Sequence, residues 1–409
     1  MTRPRSDALS LPAKLGLLAA LYVAQGLPFG FFTQSLPALM RARGYRLSEI
    51  SYSALLVLPW AGKALWAPLV DRWPTPTPTV RARRFRWIAA CQVAAALVFL
   101  ALAAHGRLDR LPPLFVGFFL LNLASATQDI ATDGFAVDML RGGERGYANG
   151  VQVAGYRGGM VLGGGVLLIV LDRIGPAAAF GLLAAATLAL SLPLLLVREA
   201  PPHLEDAPAE RPRLPHFLRT PAAARVLAVV VTYKLAESLV AGVLRPFLVD
   251  RGFSLAEIGA VSGVAGSTGG LLGALTGGAI ASRLGARRAT WLAGLVQTAC
   301  VLGFAAVSAV RLGGLALGGL FFVEAFASSL ATATLFAAMM DWCRPLVGAT
   351  DYTVQASAIV IATGAVTLVS GRLAEAVGYP AHFAIAGGVG VASLLVLRAC
   401  YPRAVVTGR

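Results

Sequence analysis

Twelve apolar stretches, each near the roughly 20 residues that carry a helix across a bilayer, succeed one another along this 409-residue chain. They cover 15–40, 48–70, 86–104, 112–138, 148–171, 175–197, 223–248, 256–281, 289–309, 312–341, 350–371 and 380–400. In lipid, backbone groups have no water to bond, so such stretches must close their own hydrogen bonds as helices. Charged residues make up only 13% of the chain, against about 25% in soluble domains, too few for a water-facing surface of this size. The expected fold class is an all-α membrane protein with 12 transmembrane helices. The net charge of +15 follows from the Lys and Arg that gather in cytoplasmic loops, so no nucleic-acid partner is expected.

The segment Arg198–Pro221 is rich in Pro, Glu and Arg and reads as a flexible linker. It divides the chain into an N-terminal six-helix half over 1–197, a linker over 198–222, and a C-terminal half over 223–409. Loops on the side of the N-terminus carry more Lys and Arg than those on the other side, which puts both termini and the linker in the cytoplasm. The N-terminus leads straight into a long span, with no cleavage site after a short apolar core. The halves are related. Gly44-Tyr45-Arg46-Leu47-Ser48-Glu49-Ile50 matches Gly252-Phe253-Ser254-Leu255-Ala256-Glu257-Ile258, and the same separation relates Asp133 to Asp341. A parallel six-helix duplication of this kind is the pattern of the major facilitator fold.

Charge inside the spans marks the candidate site, because ionised groups are costly there and usually pair or serve transport. Asp129 and Asp133 are four residues apart and share one helix face. At 1.5 Å per residue, Asp129, Arg157 and Lys63 all lie roughly 10–14 Å from the cytoplasmic edge. They are expected to form one buried network, either a fixed ionic cluster or a substrate contact. In the second half, Lys234 and Glu237 share a face near the bilayer middle, with Glu324 at a similar level. Uphill import needs a coupled ion, and no nucleotide-binding motif is present, so Asp129, Glu237 and Glu324 are the candidate proton carriers.

Span one carries Gln25-Gly26-Leu27-Pro28-Phe29-Gly30-Phe31-Phe32, where Pro28 should bend the helix and turn Gln25, Phe29 and Phe32 toward a ligand. Asn122, Tyr233 and Lys234 complete the expected substrate contacts. Spans one, four, seven and ten are expected to line a central cavity. Glycine lines in spans five and eight should allow close helix contact. The four cysteines and four histidines show no paired or ligand spacing, and no nucleophile–base set appears. No metal, no cofactor and no enzymatic activity are expected.

The stretch Leu58-Pro59-Trp60-Ala61-Gly62-Lys63-Ala64-Leu65-Trp66-Ala67-Pro68-Leu69-Val70-Asp71-Arg72 resembles the second-helix motif of AmpG-like permeases, the peptide–acetyl-coenzyme A transporter branch of the major facilitators. Gln128-Asp129-Ile130-Ala131-Thr132-Asp133, Glu144-Arg145-Gly146, Gly155-Tyr156-Arg157 and Tyr233-Lys234-Leu235 are similar to further motifs of that branch. The likeness covers essentially the whole chain. It implies a secondary transporter of the bacterial inner membrane, acting as a monomer on a small-molecule substrate with protons and lipids as its other partners. The compact length and the span-one motif resemble the siderophore permeases, which implies import of a ferric siderophore. A muropeptide permease and a non-transporting membrane sensor are the alternatives. Asp71 and Arg72, which remain of the facilitator loop motif, and the repeat-related Asp133 and Asp341 are the expected gating residues. The loop after Asp71-Arg72 departs from the usual motif, with Trp73-Pro74 and a Pro/Thr run in place of glycine and basic residues.

Overall fold

The computed structural model describes residues 5–36, 40, 56–72, 83–106, 111–199, 217–220, 222–253, 257, 262–308, 314–344 and 347–402. The first repeat copy, Gly44–Ile50, most of the linker and the start of the second span lie outside these residues. Among them the chain is helical. Eleven helices are long and apolar enough to cross a membrane. In chain order the helices are α1 (Leu11–Gly30), α2 (Leu58–Gly62), α3 (Ala67–Arg72), α4 (Arg83–His105), α5 (Leu111–Met139), α6 (Gly142–Met160) and α7 (Leu167–Leu196). They continue as α8 (Ala223–Tyr233), α9 (Leu235–Asp250), α10 (Ser267–Leu284), α11 (Ala286–Val307), α12 (Gly314–Asp341), α13 (Gly348–Val377) and α14 (Tyr379–Cys400). The apolar pattern therefore located the described spans to within a few residues. One difference is at the second span, which breaks into α2 and α3 across a 3₁₀ turn at Lys63–Leu65. Pro68 has no N–H for the Ala64 carbonyl and its ring crowds that carbonyl, so the helix cannot run through.

One compact unit comprises residues 1–140, 155–214 and 344–353. Its core packs Phe31 face to face on Phe118, with ring centroids 4.6 Å apart, and Phe180 tilts against both. Pro28 lies inside α1, near its C-terminal end. α1 passes into a π-turn at Phe31–Ser35, and α6 passes into another at Val161–Val166. The close approach of these helices explains their glycines. A Cβ on Gly26 would fall 2.2 Å from the Tyr156 carbonyl oxygen, and one on Gly159 would fall 2.2 Å from that of Val23.

The second unit comprises residues 141–154, 215–343 and 354–409. Gly146 and Gly150, before the linker in sequence, pack here against Ser282, Gly278 and Ala274 of α10. Along the same helix Gly269, Gly273 and Gly277 recur every fourth residue and meet the backbone of α12 at Phe322, Phe326 and Leu330. Gly269, Gly273, Gly277 and Gly278 of that line are thus contact points, as small-residue spacing permits. Phe247, Phe304 and Phe383 form the aromatic centre of this unit.

Candidate substrate and proton sites

The break between α2 and α3 sets the chemistry of the first unit. It carries Trp60 and Lys63 to the face of α5. There the Trp60 indole N–H donates to Asn122 Oδ1 at 2.9 Å, and Trp66 donates to Thr127 Oγ1 at 3.2 Å. The Lys63 ammonium pairs directly with the Asp129 carboxylate. The two residues are 3% and 6% exposed, so the pair has left water almost entirely. A buried pair of this kind offsets two desolvation penalties only while both partners remain. The Lys63 nitrogen also lies 5.4 Å from the centre of the Trp60 ring, within cation–π range.

Three rings close one side of this pair. Phe29, Trp60 and Tyr156 meet one another at centroid distances of 5.7, 5.4 and 5.9 Å. Phe32 stands edge-on to Phe29 at 4.8 Å and is itself buried in the apolar core. Arg157, the neighbour of Tyr156, is half-buried on α6. Gln25 is buried, and its amide N–H donates to Thr132 Oγ1 at 3.3 Å, while its carbonyl oxygen accepts no hydrogen bond among the described residues. One turn from Asp129, Asp133 accepts a 2.7 Å hydrogen bond from the Tyr22 hydroxyl. Of the residues expected from sequence, Phe29, Lys63, Asn122 and Asp129 are therefore brought together around Trp60.

In the second unit Lys234 interrupts the seventh span: its φ of −103° and ψ of 1° separate α8 from α9. Its ammonium pairs with Glu237 and donates to the Ser328 carbonyl at 3.2 Å. Glu237 also accepts from Gln297 Nε2 at 2.6 Å and from the Ser328 hydroxyl. Glu237 and Glu324 both line a cavity of about 10 Å³, together with Gln297, Cys300 and Ser328. That is about the space one water requires. Tyr233 points elsewhere: it is buried, and its hydroxyl donates to the Thr290 carbonyl at 2.7 Å, tying α8 to α11.

Of the residues expected to gate, Asp71 and Asp341 each sit in an ionic cluster, one in each unit, whereas Asp133 is bound to Tyr22 instead. In the first unit Asp71 at the end of α3 receives Arg84 at 2.7 Å and the Thr350 backbone N–H at 2.8 Å. Arg84 reaches Asp138 at 3.3 Å, and the Glu199 carboxylate accepts from the backbone N–H groups of Arg84 and Phe85 at 3.1 and 3.0 Å. The basic partner of Asp71 is thus Arg84, one of several arginines before the third span, while the side chain of Arg72 lies outside the described residues. Sequence reasoning did not single out Arg84, Asp138 or Glu199. In the second unit Arg145 meets Asp341 at 2.7 Å.

Residues 18–345 match the model of the Major Facilitator Superfamily, and the chain belongs to that superfamily. It is a multi-pass membrane transporter of the α-helical class. Over 395 residues, 94% of this chain and 79% of the relative, it is 29% identical to the anhydromuropeptide permease of Escherichia coli K12. It is 23% identical to the putative transporter AmpG 4 of Rickettsia conorii over 377 residues, 88% of this chain and 90% of the relative. The AmpG likeness therefore stands, whereas these relatives lend no support to the siderophore branch. Among solved structures, the transporter FucP in its outward conformation superposes with a TM-score of 0.73 at 16% identity, covering 98% of this chain and all of that one. A bacterial homologue of the iron transporter ferroportin, in an outward-facing state with soaked iron, gives 0.66, also at 16% identity and covering 96% and 99%. These two likenesses concern the fold.

Proposed function

We propose that this chain imports an anhydromuropeptide, sugar rings joined to a short peptide, across the bacterial inner membrane by proton-coupled alternating access. The observation that carries the reading is the similarity over 94% of the chain to a permease of that name. The first unit supports it. Three mutually packed rings, Phe29, Trp60 and Tyr156, suit the flat apolar faces of sugars, and the adjoining Lys63–Asp129 pair suits a ligand with charged and polar groups. In this reading Gln25, Asn122 and Arg157 add polar contacts, and substrate arrival opens the ion pair. Proton coupling falls to Glu237 and Glu324, which share a water-sized cavity with Lys234 close by. The ionic clusters at Asp71 and Asp341 act as gates, and both termini face the cytoplasm by the bias of basic loop residues.

Proteoliposomes containing the purified chain, with an imposed pH gradient, separate the possibilities. A radiolabelled anhydromuropeptide should accumulate and be lost on collapse of the gradient. Accumulation of a ferric siderophore instead would restore that substrate class. Binding of the muropeptide without uptake would assign the chain a sensing role.

A further inference from the structure

The second unit carries a groove of about 610 Å³ that neither the muropeptide reading nor the relatives account for. It lies where α11 begins and α14 ends. Its lining includes Arg287, Arg288 and Arg398, with Trp291, Leu292 and Leu295 beside them, and no carboxylate is among its lining residues. Arg288, Trp291, Leu292 and Leu295 follow an i, i+3, i+4, i+7 spacing, so they form one stripe along α11. The stripe changes from charge to aromatic to aliphatic within two turns. Leu292 and Leu295 are each 46% exposed, although they belong to a helix apolar enough to span the membrane. Arg287 is held over the Tyr401 ring, its guanidinium carbon 5.5 Å from the ring centre.

We propose that this groove is a binding site for an anionic phospholipid. Guanidinium groups match phosphate oxygens in fork geometry. Three of them in one concavity without a carboxylate favour a phosphate that carries net charge over a zwitterionic headgroup, and basic pockets at helix ends bind such headgroups. Trp291 sits where an indole prefers the boundary between headgroup and acyl chain. Leu292 and Leu295 continue the groove as a surface for the chain itself. A free phosphate would engage the arginines and leave the leucines unused, so the lipid is the occupant that matches the whole stripe.

The test is native mass spectrometry and thermal unfolding of the full chain in detergent, with added phosphatidylglycerol or phosphatidylcholine of the same acyl chains. The chain should retain phosphatidylglycerol in preference by roughly tenfold or more, and only that lipid should raise its unfolding temperature. The triple variant Arg287→Gln, Arg288→Gln, Arg398→Gln should lose the preference, and Arg398→Gln alone should weaken it if the triple variant folds poorly. A control carrying Arg173→Gln and Arg372→Gln should keep it. Equal retention of the two lipids, equal loss in the control, or equal stabilisation by inorganic phosphate would each overturn the proposal.

Discussion

Arg84 and Asp71 meet at 2.7 Å with neither side chain exposed. Two opposite charges in so little solvent are stable only together, because a lone partner keeps its desolvation cost and loses its compensation. Arg84→Gln should therefore lower the stability of the protein by about 3–5 kcal/mol, read from unfolding in detergent. Adding Asp71→Asn to it should cost less than the sum of the separate changes. Additive losses would mean that the two charges are held by other partners.

The Lys63–Asp129 pair makes a parallel prediction for transport. Asp129→Asn and Lys63→Gln should each reduce uptake by at least an order of magnitude, the scale for truncating one partner of a buried charge pair. The double variant should retain more activity than the product of the two losses. Trp60→Ala should weaken binding of a sugar-bearing substrate more than exchange of a small counter-solute, which separates ring contact from loss of fold.

For the coupling site, Glu237→Gln and Glu324→Gln distinguish the energy source from the substrate path. If either carboxyl carries the proton, its amide variant should stop gradient-driven accumulation yet preserve counterflow exchange of substrate. Both variants accumulating normally would move the carrier to Asp129 or Asp133, or make the chain a uniporter.

Neighbouring glycines on α6 offer a sharp structural contrast. A Cβ at Gly159 would fall 2.2 Å from the Val23 carbonyl oxygen, whereas at Gly158 nothing lies within 4 Å. Gly159→Ala should destabilise by about 1–3 kcal/mol through overpacking against α1. Gly158→Ala should be neutral or stabilise by about 0.5–1 kcal/mol, because glycine costs a helix backbone entropy. Equal effects at the two positions would contradict the packing of α1 on α6.

Glu199 lies beyond the last residue of the sixth span, and burial raises its carboxyl above the usual range despite the N–H groups of Phe85 and Arg84. An acid whose folded value is raised stabilises the fold fully below its unfolded value and loses that contribution as pH rises through the folded value. Glu199→Gln keeps an acceptor for Arg84 and Phe85. It should flatten the loss of stability with rising pH above the ordinary carboxylate range, seen as a smaller fall in unfolding temperature. An unchanged slope would place the titrating group elsewhere.

Much of the architecture was legible because burial in lipid is one-dimensional. Length and hydropathy locate a helix, and a fixed rise per residue locates a charge along it. Lys63 and Asp129 could be set at one level, and Glu237 with Glu324 at another, from residue numbers alone. What a rise per residue cannot supply is which helix stands beside which, and which way each one faces. Arg84 looks in sequence like its neighbours Arg83 and Arg86, and only packing makes it the buried partner of Asp71. Gly158 and Gly159 are equally glycine, and only the backbone of α1 separates them. Trp60 and Tyr156 lie far apart in the chain, yet the break that Pro68 forces and the π-turn after α6 belong to the helices that bring their rings within 5.9 Å. Hydrophobicity along the chain determined the spans and the depth of their charges. The neighbours of each charge were decided by side-chain packing between helices, which no single span encodes.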